Sequence, residues 1–304
     1  MNIGIIGSGF GIYGWAKAAS NQKLFKLSTL SKYKKIILER KDTKKLYNKI
    51  NYHNKFKDLI SGIDTIIIAK RPVDQARIVS RILNIKKKIN LILEKPLSNN
   101  AINALKLFKK IKNNKINYLF GMTINETKWA VKLKNLIKQK KIRKIEIDWF
   151  FLADHYKHNK NNWKRYRKMG GGMLRFYLIH FIYIFSFFKN WDAKYVSKKM
   201  NSSEDPSGIL KLKNQDVEVV INADSQYKKK SLFNIKIEYK NFKKKNIKLD
   251  NPFAENLKNF VQLGIDFRIK NLQKILNKAY NGYWSKFKET ENYLSLWKKI
   301  DRDS

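Results

Sequence analysis

The chain has no cysteine, and only four histidines and four prolines among its 304 residues. Without thiols there are no disulfides, no thiolate metal sites and no cysteine nucleophile. Four histidines leave little material for a metal cluster. The two in Asp154-His155-Tyr156-Lys157-His158 stand three apart with no second carboxylate near them, so no metal site is expected. Acidic side chains are also scarce: 24 stand against 66 lysines and arginines, for a formal net charge of +42. No long apolar run is present. The one stretch that invites a membrane reading, Phe176 to Phe188, falls short of the ~20 residues a spanning helix needs and carries His180 in its middle. It predicts a buried core helix. No charged segment followed by an apolar one precedes the first strand at Asn2, so no signal peptide is read and a cytoplasmic location is expected.

Hydrophobic residues make up 43% and aromatics 13%, which excludes wholesale disorder, and the length suffices for two domains with cores. The charge excess has two readings. One is a binder of nucleic acid or membrane surfaces, because such a field attracts polyanions. The other is compositional, since lysine, asparagine and isoleucine dominate throughout, as in a chain coded by an AT-rich gene. The lysines run along the whole chain and form no stripe or tail. No zinc-finger spacing or comparable signature accompanies them, so no specific nucleic-acid partner is expected. The same field would steer an anionic substrate or cofactor inward.

Strands and helices alternate through roughly the first 120 residues. Asn2 to Gly7, Leu24 to Leu30, Asp64 to Ala69, Ile89 to Leu93 and Tyr118 to Gly121 read as buried strands. Ile12 to Ser20, Val73 to Leu83 and Ala101 to Ile111 read as helices, the last behind a Ser98 or Asn99 cap. This is the pattern of a doubly wound parallel sheet. After about residue 125 the pattern changes. A helix over Trp129 to Lys138, a strand over Ile142 to Phe151 and the apolar helix Met173 to Phe188 come first. Five strands with polar alternation follow: Ala193 to Lys198, Gly208 to Lys213, Val217 to Asn222, Leu232 to Tyr239 and Asn246 to Leu249. Helices over Phe267 to Tyr280 and Tyr283 to Ile300 close the chain. The expected architecture is α/β: a Rossmann domain over residues 1–122, then an α+β domain over 123–304 with an open, mostly antiparallel sheet.

Three constellations carry chemistry. Gly7-Ser8-Gly9-Phe10-Gly11 follows a strand and opens a helix, the context of a dinucleotide fingerprint. Gly7 would permit the tight turn and Gly9 the approach of a pyrophosphate, although Ile12 stands where the third glycine usually falls. The acidic residue that would hold a ribose 2′-hydroxyl after the second strand is absent. Ser31 and Lys32 stand there, with Lys34 and Lys35 behind, which favours the 2′-phosphate of NADP over NAD. Glu94-Lys95-Pro96 closes the run Ile89 to Leu93. A lysine there faces the crevice where open α/β sheets bind ligands, and proline stops the strand. Gly170-Gly171-Gly172 precedes the apolar helix, on which His180 lies about one turn beyond Phe176.

In combination and in this order, these marks resemble the glucose–fructose oxidoreductase/inositol dehydrogenase (Gfo/Idh/MocA) family over nearly the whole chain. The resemblance implies an NAD(P)-dependent oxidoreductase acting on a CH–OH group of a sugar or sugar derivative, within carbohydrate metabolism such as sugar-nucleotide or surface-polysaccharide synthesis. It matches Lys95 and His180 to the proton-transfer pair. It assigns the cofactor to Gly7, Ser8, Gly9, Phe10, Gly11, Ser31, Lys32, Ala69, Lys70, Glu94 and Lys95. His155, Trp163, Lys164 and Arg175 would face the substrate, their basic character suiting phosphate or carboxylate groups. Homo-oligomers through the open sheet are implied as well. Three departures stand out. Phe176 takes the place of a common aspartate, Lys70-Arg71 replaces a usual Thr-Pro, and Gln75 stands where histidine is frequent. The loss of the aspartate leaves a second reading open, a redox-inactive nucleotide-binding sensor or scaffold of the same fold.

Overall fold

The computed structural model describes residues 1–86, 88–198, 203–253 and 266–302. The chain forms two units: Met1–Ser98 with Lys106–Thr123 and Ile265–Lys286, and Asn99–Leu105 with Ile124–Gly264 and Phe287–Ser304. The first therefore includes a segment from near the far end of the chain.

The first unit holds six parallel strands in the order β3-β2-β1-β4-β5-β6. They are β1 Asn2–Ile6, β2 Lys26–Leu30, β3 Ile50–His53, β4 Thr65–Ile68, β5 Asn90–Leu93 and β6 Tyr118–Phe120. All four residues of β4 are buried, as a strand covered on both faces requires. The strand order reverses at β1, between β2 and β4, so ligands are expected at the carboxyl ends of these strands. Helix Pro72–Ile85 starts with proline in its first turn and turns Val79, Ile82 and Leu83 inward. Helix Ile269–Tyr280 lies along the helix that follows β1. Gln273 Nε2 donates to Ala18 O at 3.5 Å, and Phe25 and Tyr280 meet edge to face at 6.0 Å.

Two local expectations are corrected. Asn100, not Ser98 or Asn99, caps helix Ala101–Asn113, its side chain accepting the Asn103 amide at 2.8 Å. The helix after the glycine turn begins as a π-helical stretch, Gly11–Ala16, before Lys17–Ser20. The Phe10 ring lies where a Gly14 side chain would stand.

The second unit holds a six-stranded sheet in the order β12-β11-β7-β10-β9-β8. Its strands are β7 Ile142–Phe150, β8 Asp192–Ser197, β9 Ser207–Lys213, β10 Glu218–Asp224, β11 Leu232–Tyr239 and β12 Lys244–Leu249. Only β7 and β10 pair in parallel; the remaining pairs are antiparallel. One face buries Ile145, Ile147, Trp149, Val219, Ile221, Phe233 and Ile235. Helix Ile179–Phe185 is buried on every side, and Phe181 packs its ring against Trp149 at 5.8 Å. The other face is charged. One row crosses all six strands as Asp192, Lys213, Glu218, Lys144, Glu238 and Lys244, alternating in sign at each step. Opposite charges directly across a ladder stabilise the pairing. Among the described residues, no helix is long and apolar enough to cross a membrane.

Candidate active site

The glycine turn is built by close backbone approach. Gly7 has φ +148°, and a Cβ there would run into the Ala69 carbonyl, so only glycine fits. Ala69 is itself tied to β1 by its amide, which donates to Ile6 O at 2.8 Å. Gly9 is exposed, and a side chain there would meet nothing within 4 Å, which leaves space above the turn. Ser8 and Phe10 flank it, partly exposed, and Gly11 packs against Ala69 and Ile5. The Ile12 and Tyr13 amides donate to Gly9 O at 2.9 and 3.2 Å, locking the turn to the helix. The Phe10 ring carries the Arg268 guanidinium 4.2 Å from its centre. Arg268 is held by both oxygens of Asp266, at 3.0 and 2.6 Å.

At the end of β5, Glu94 is buried and accepts from Trp15 Nε1 at 2.7 Å and from the Lys95 amide at 3.2 Å. Burial pushes its carboxyl above the usual range, and the charge of Lys95, the Trp15 bond and Arg268 draw it part of the way back. Gly121 is required beside it, because a Cβ there would lie 2.7 Å from Glu94 Oε1. Lys95 is partly exposed and precedes Pro96 through a cis peptide. Gln75, fully buried, donates Nε2 to the carbonyls of Glu94, Pro96 and Leu97 at 2.9, 2.8 and 3.2 Å. The triplet is thus fixed from the carboxylate side by Trp15 and from the carbonyl side by Gln75.

Ser31 and Lys32 open the turn Ser31–Tyr33 directly after β2. Lys70 follows β4, and its ammonium is held below the ordinary lysine range by burial first and by the nearby charge of Lys32 second. Two cations thus meet at the carboxyl ends of strands flanking β1, beside the glycine turn. Tyr33 sits behind Lys32. Burial pushes its phenol up, and the Gly7 backbone draws it part of the way back.

In the second unit, the three glycines bend the chain into helical residues Met173–Leu178 and Ile179–Phe185. Gly170 and Gly172 have φ +86° and +82°, while Gly171 lies against the Trp163 and Lys164 backbone, where a Cβ would collide. Asp205, fully buried, accepts from the Leu174 amide at 3.1 Å, the Tyr195 hydroxyl at 2.6 Å and the Ser197 hydroxyl at 2.8 Å. Burial of the Tyr195 phenol first, and the Asp205 charge second, push it up. His180 is fully buried, its ring edge to face with Phe253 at 5.5 Å. Phe176 meets Trp163 edge on at 5.2 Å and carries the Lys164 ammonium 5.6 Å from its ring centre. His155 is buried beside Tyr156, with rings 4.5 Å apart. The Arg175 guanidinium is engaged by Asp301 at 2.8 Å and by Arg167 O at 2.8 Å, which makes it a tie within this unit.

Trp15, Arg268 and Asp205 were not singled out from the sequence, and Gln75 only as a departure. Each acts through a partner distant in the chain, and no local pattern announces such a pairing.

No protein-family model and no curated protein matches this chain. Solved structures do. A myo-inositol 2-dehydrogenase from Lactobacillus plantarum superposes with TM-score 0.71 and 15% identity, over 100% of this chain and 96% of that one. The chain has its fold. The WlbA dehydrogenase from Bordetella pertussis, in complex with NADH and UDP-GlcNAcA, gives TM-score 0.72 and 12% identity over 99% and 95%. KijD10, a 3-ketoreductase from Actinomadura kijaniata in complex with NADP and TDP-benzene, gives 0.71 and 12% over 100% and 97%. The fold is thus shared over nearly the whole chain with two dehydrogenases and a ketoreductase.

Proposed function

We propose that this protein is an NAD(P)-dependent oxidoreductase of the glucose–fructose oxidoreductase/inositol dehydrogenase family, acting on a CH–OH group of a sugar or sugar derivative. The glycine turn carries the reading: only glycine fits position 7, and the chain leaves room above Gly9 at the point where strand order reverses. Gly7, Ser8, Gly9, Phe10, Gly11 and Ala69 would hold the pyrophosphate. Ser31, Lys32 and Lys70 would hold the adenosine ribose, their charge favouring NADP. When bound, the nicotinamide supplies or accepts the hydride. Lys95, set by Glu94 and Gln75, hydrogen-bonds the reacting oxygen and shares its proton with His180, so charge developing on that oxygen meets a fixed cation. The pairing of Lys95 with His180 is carried by the family resemblance. A cytoplasmic location belongs to the same proposal.

Calorimetric titration with NADP and NAD tests the cofactor, and reduced-nicotinamide absorbance with a sugar panel tests the chemistry. Lys95→Ala is expected to lose turnover far more than cofactor affinity; wild-type turnover in that variant would refute the role. Cofactor uptake without reduction of the nicotinamide by any sugar would favour the sensor or scaffold, for which Phe176 is the supporting observation.

The charged face of the second sheet supports a homo-oligomer. The row Asp192, Lys213, Glu218, Lys144, Glu238, Lys244 is self-complementary. A two-fold axis along the strands, between β7 and β10, would set each acid of one copy against a base of the other. Mass measurement by light scattering checks it. Reversing Lys213 and Lys144 to glutamate should yield monomers if this face associates, and an unchanged mass would exclude it.

A further inference from the structure

The hairpin that joins β11 to β12 carries a phenylalanine where its turn asks for glycine. The Tyr239 amide donates to Lys243 O and the Phe242 amide to Tyr239 O, both at 2.9 Å. The last residue of such a three-residue loop takes a left-handed conformation, which glycine adopts without steric cost. Phe242 takes it instead, with φ +63°, a rare conformation for a bulky side chain. Its ring is 70% exposed, so little burial offsets the strain. The Arg143 guanidinium lies 5.1 Å from the ring centre, but such a contact contributes less at an exposed site than the strain costs. Folding alone therefore gives no reason for an aromatic residue here, and a strained, exposed ring points to a use outside the fold.

The tip is also surrounded by positive charge drawn from two distant stretches of chain. Helix Lys128–Lys138 ends beside it, and Lys140 follows with φ +54°, again at a place that helix ends usually give to glycine. The Lys240 amide donates to Lys141 O at 2.9 Å, which fastens the helix end to the hairpin. Arg143 is the residue skipped where the register of β7 and β11 shifts, and it reaches Glu238 at 2.9 Å as well as the Phe242 ring. Lys140 and Lys240 share Asp216, each at 3.6 Å. Among the described residues at this tip, Lys140, Lys141, Arg143, Lys240 and Lys243 thus stand against the carboxylates of Asp216 and Glu238. Residues 239–243 lie past the alternating row that includes Glu238 and Lys244, and that row balances its own charges.

We infer that the β11–β12 hairpin is a docking point for an anionic membrane surface. Phe242 enters the headgroup layer, and the cations around it rest on lipid phosphates. A single ring on a convex tip suits a soft interface of this kind. Single-stranded nucleic acid is instead held along grooves that offer several rings in succession. The tip adjoins the amino end of β7, whereas His155 and Trp163 follow its carboxyl end, a strand length of roughly 25–30 Å away. Docking therefore leaves those residues uncovered, whatever they bind.

Vesicle flotation of the full chain at about 0.15 M salt tests it. The vesicles are phosphatidylcholine alone, and phosphatidylcholine with about one-third phosphatidylglycerol. The protein should partition onto the anionic vesicles and not onto the neutral ones. Phe242→Gly should weaken that partition about three- to tenfold, while its melting temperature stays unchanged or rises because glycine suits the turn. Lys141→Gln and Lys243→Gln should each weaken it about fivefold. Lys229→Gln with Lys230→Gln removes the same charge before the other end of β11 and should cost less than about twofold, since charges that far from the lipid are screened. Equal losses from the two lysine pairs, equal uptake by both kinds of vesicle, or no uptake at all would each overturn the docking point. A lower melting temperature in Phe242→Gly would do so too, because the ring would then serve the fold. An oligothymidylate that binds at the same salt and loses affinity in the same variants, with no vesicle uptake, would assign the tip to nucleic acid and overturn the membrane reading.

Discussion

The Trp15–Glu94 bond is the most direct probe of how the Glu94-Lys95-Pro96 triplet is held. Trp15→Phe deletes the indole N–H that donates to Glu94 Oε1 at 2.7 Å, inside a fully buried environment. A hydrogen bond to a charged acceptor contributes about 1.5–3 kcal/mol, against about 0.5–1.5 kcal/mol for a neutral one. At about 2–4 °C per kcal/mol, the single variant should lower the melting temperature of the first unit by about 1–12 °C, the upper part of that range applying where Glu94 is ionised. Glu94→Gln keeps an acceptor for Trp15 but cannot ionise, so in that background the cost of Trp15→Phe should fall by about 1 kcal/mol from its value beside ionised Glu94. Glu94→Gln also sets an amide nitrogen against the Lys95 N–H, an offset that does not vary with pH. The pH dependence has a definite sign. The folded-state pKa of Glu94 is raised, so its contribution is fully present below the unfolded carboxylate pKa and is lost as pH rises through the folded value. Glu94→Gln should therefore gain on the wild type between pH 4 and pH 8. Differential scanning calorimetry of the four proteins at both pH values measures all of this. A difference between Glu94→Gln and wild type that stays flat with pH would refute the account of the triplet.

Gly7→Ala should abolish nucleotide binding and destabilise the first unit by at least about 1–2 kcal/mol, because φ +148° and the Ala69 carbonyl both exclude a side chain; urea melts with and without NADP measure it. Lys70→Met should weaken NADP about tenfold while leaving NAD unchanged, and the wild-type preference for NADP should fade at a lower pH than an ordinary lysine dictates, because the Lys70 ammonium is held below its usual range. Asp205→Asn turns one of the two oxygens that accept from Tyr195, Ser197 and the Leu174 amide into a donor and should cost about 2–4 kcal/mol, read as an earlier denaturant midpoint for the second unit.

The strands most legible in the sequence were those whose residues are buried on both sides. β4 and β5 sit within continuous apolar runs, and the glycine turn and the lysine triplet follow such runs directly. β3 and the helices Lys34–Glu39 and Phe56–Ser61 were not read. β3 lies at the sheet edge, where Asn51, Tyr52 and His53 stay at least partly exposed and erase the apolar signal. The cap of helix Ala101–Asn113 was misplaced because Ser98, Asn99 and Asn100 can all cap, and only geometry selects one. The helix Phe267 to Tyr280 was expected, and it is observed as Ile269–Tyr280, but its pattern says only that one face is buried, not which layer buries it. The contacts around the candidate site were the least legible. Trp15 and Glu94 lie 79 residues apart, and their hydrogen bond leaves no periodic trace.

The placement of Ile269–Tyr280 bears on how the molecule is made. Its buried residues Ile269, Leu272, Ile275, Leu276 and Ala279 complete the first unit. A ribosome delivers that helix only after every strand of the second sheet has emerged. The first unit must therefore linger unfinished, its greasy flank bare, while the second sheet emerges, and because helix Phe287–Arg302 belongs to the second unit, neither can close until residues beyond 280 have left the ribosome.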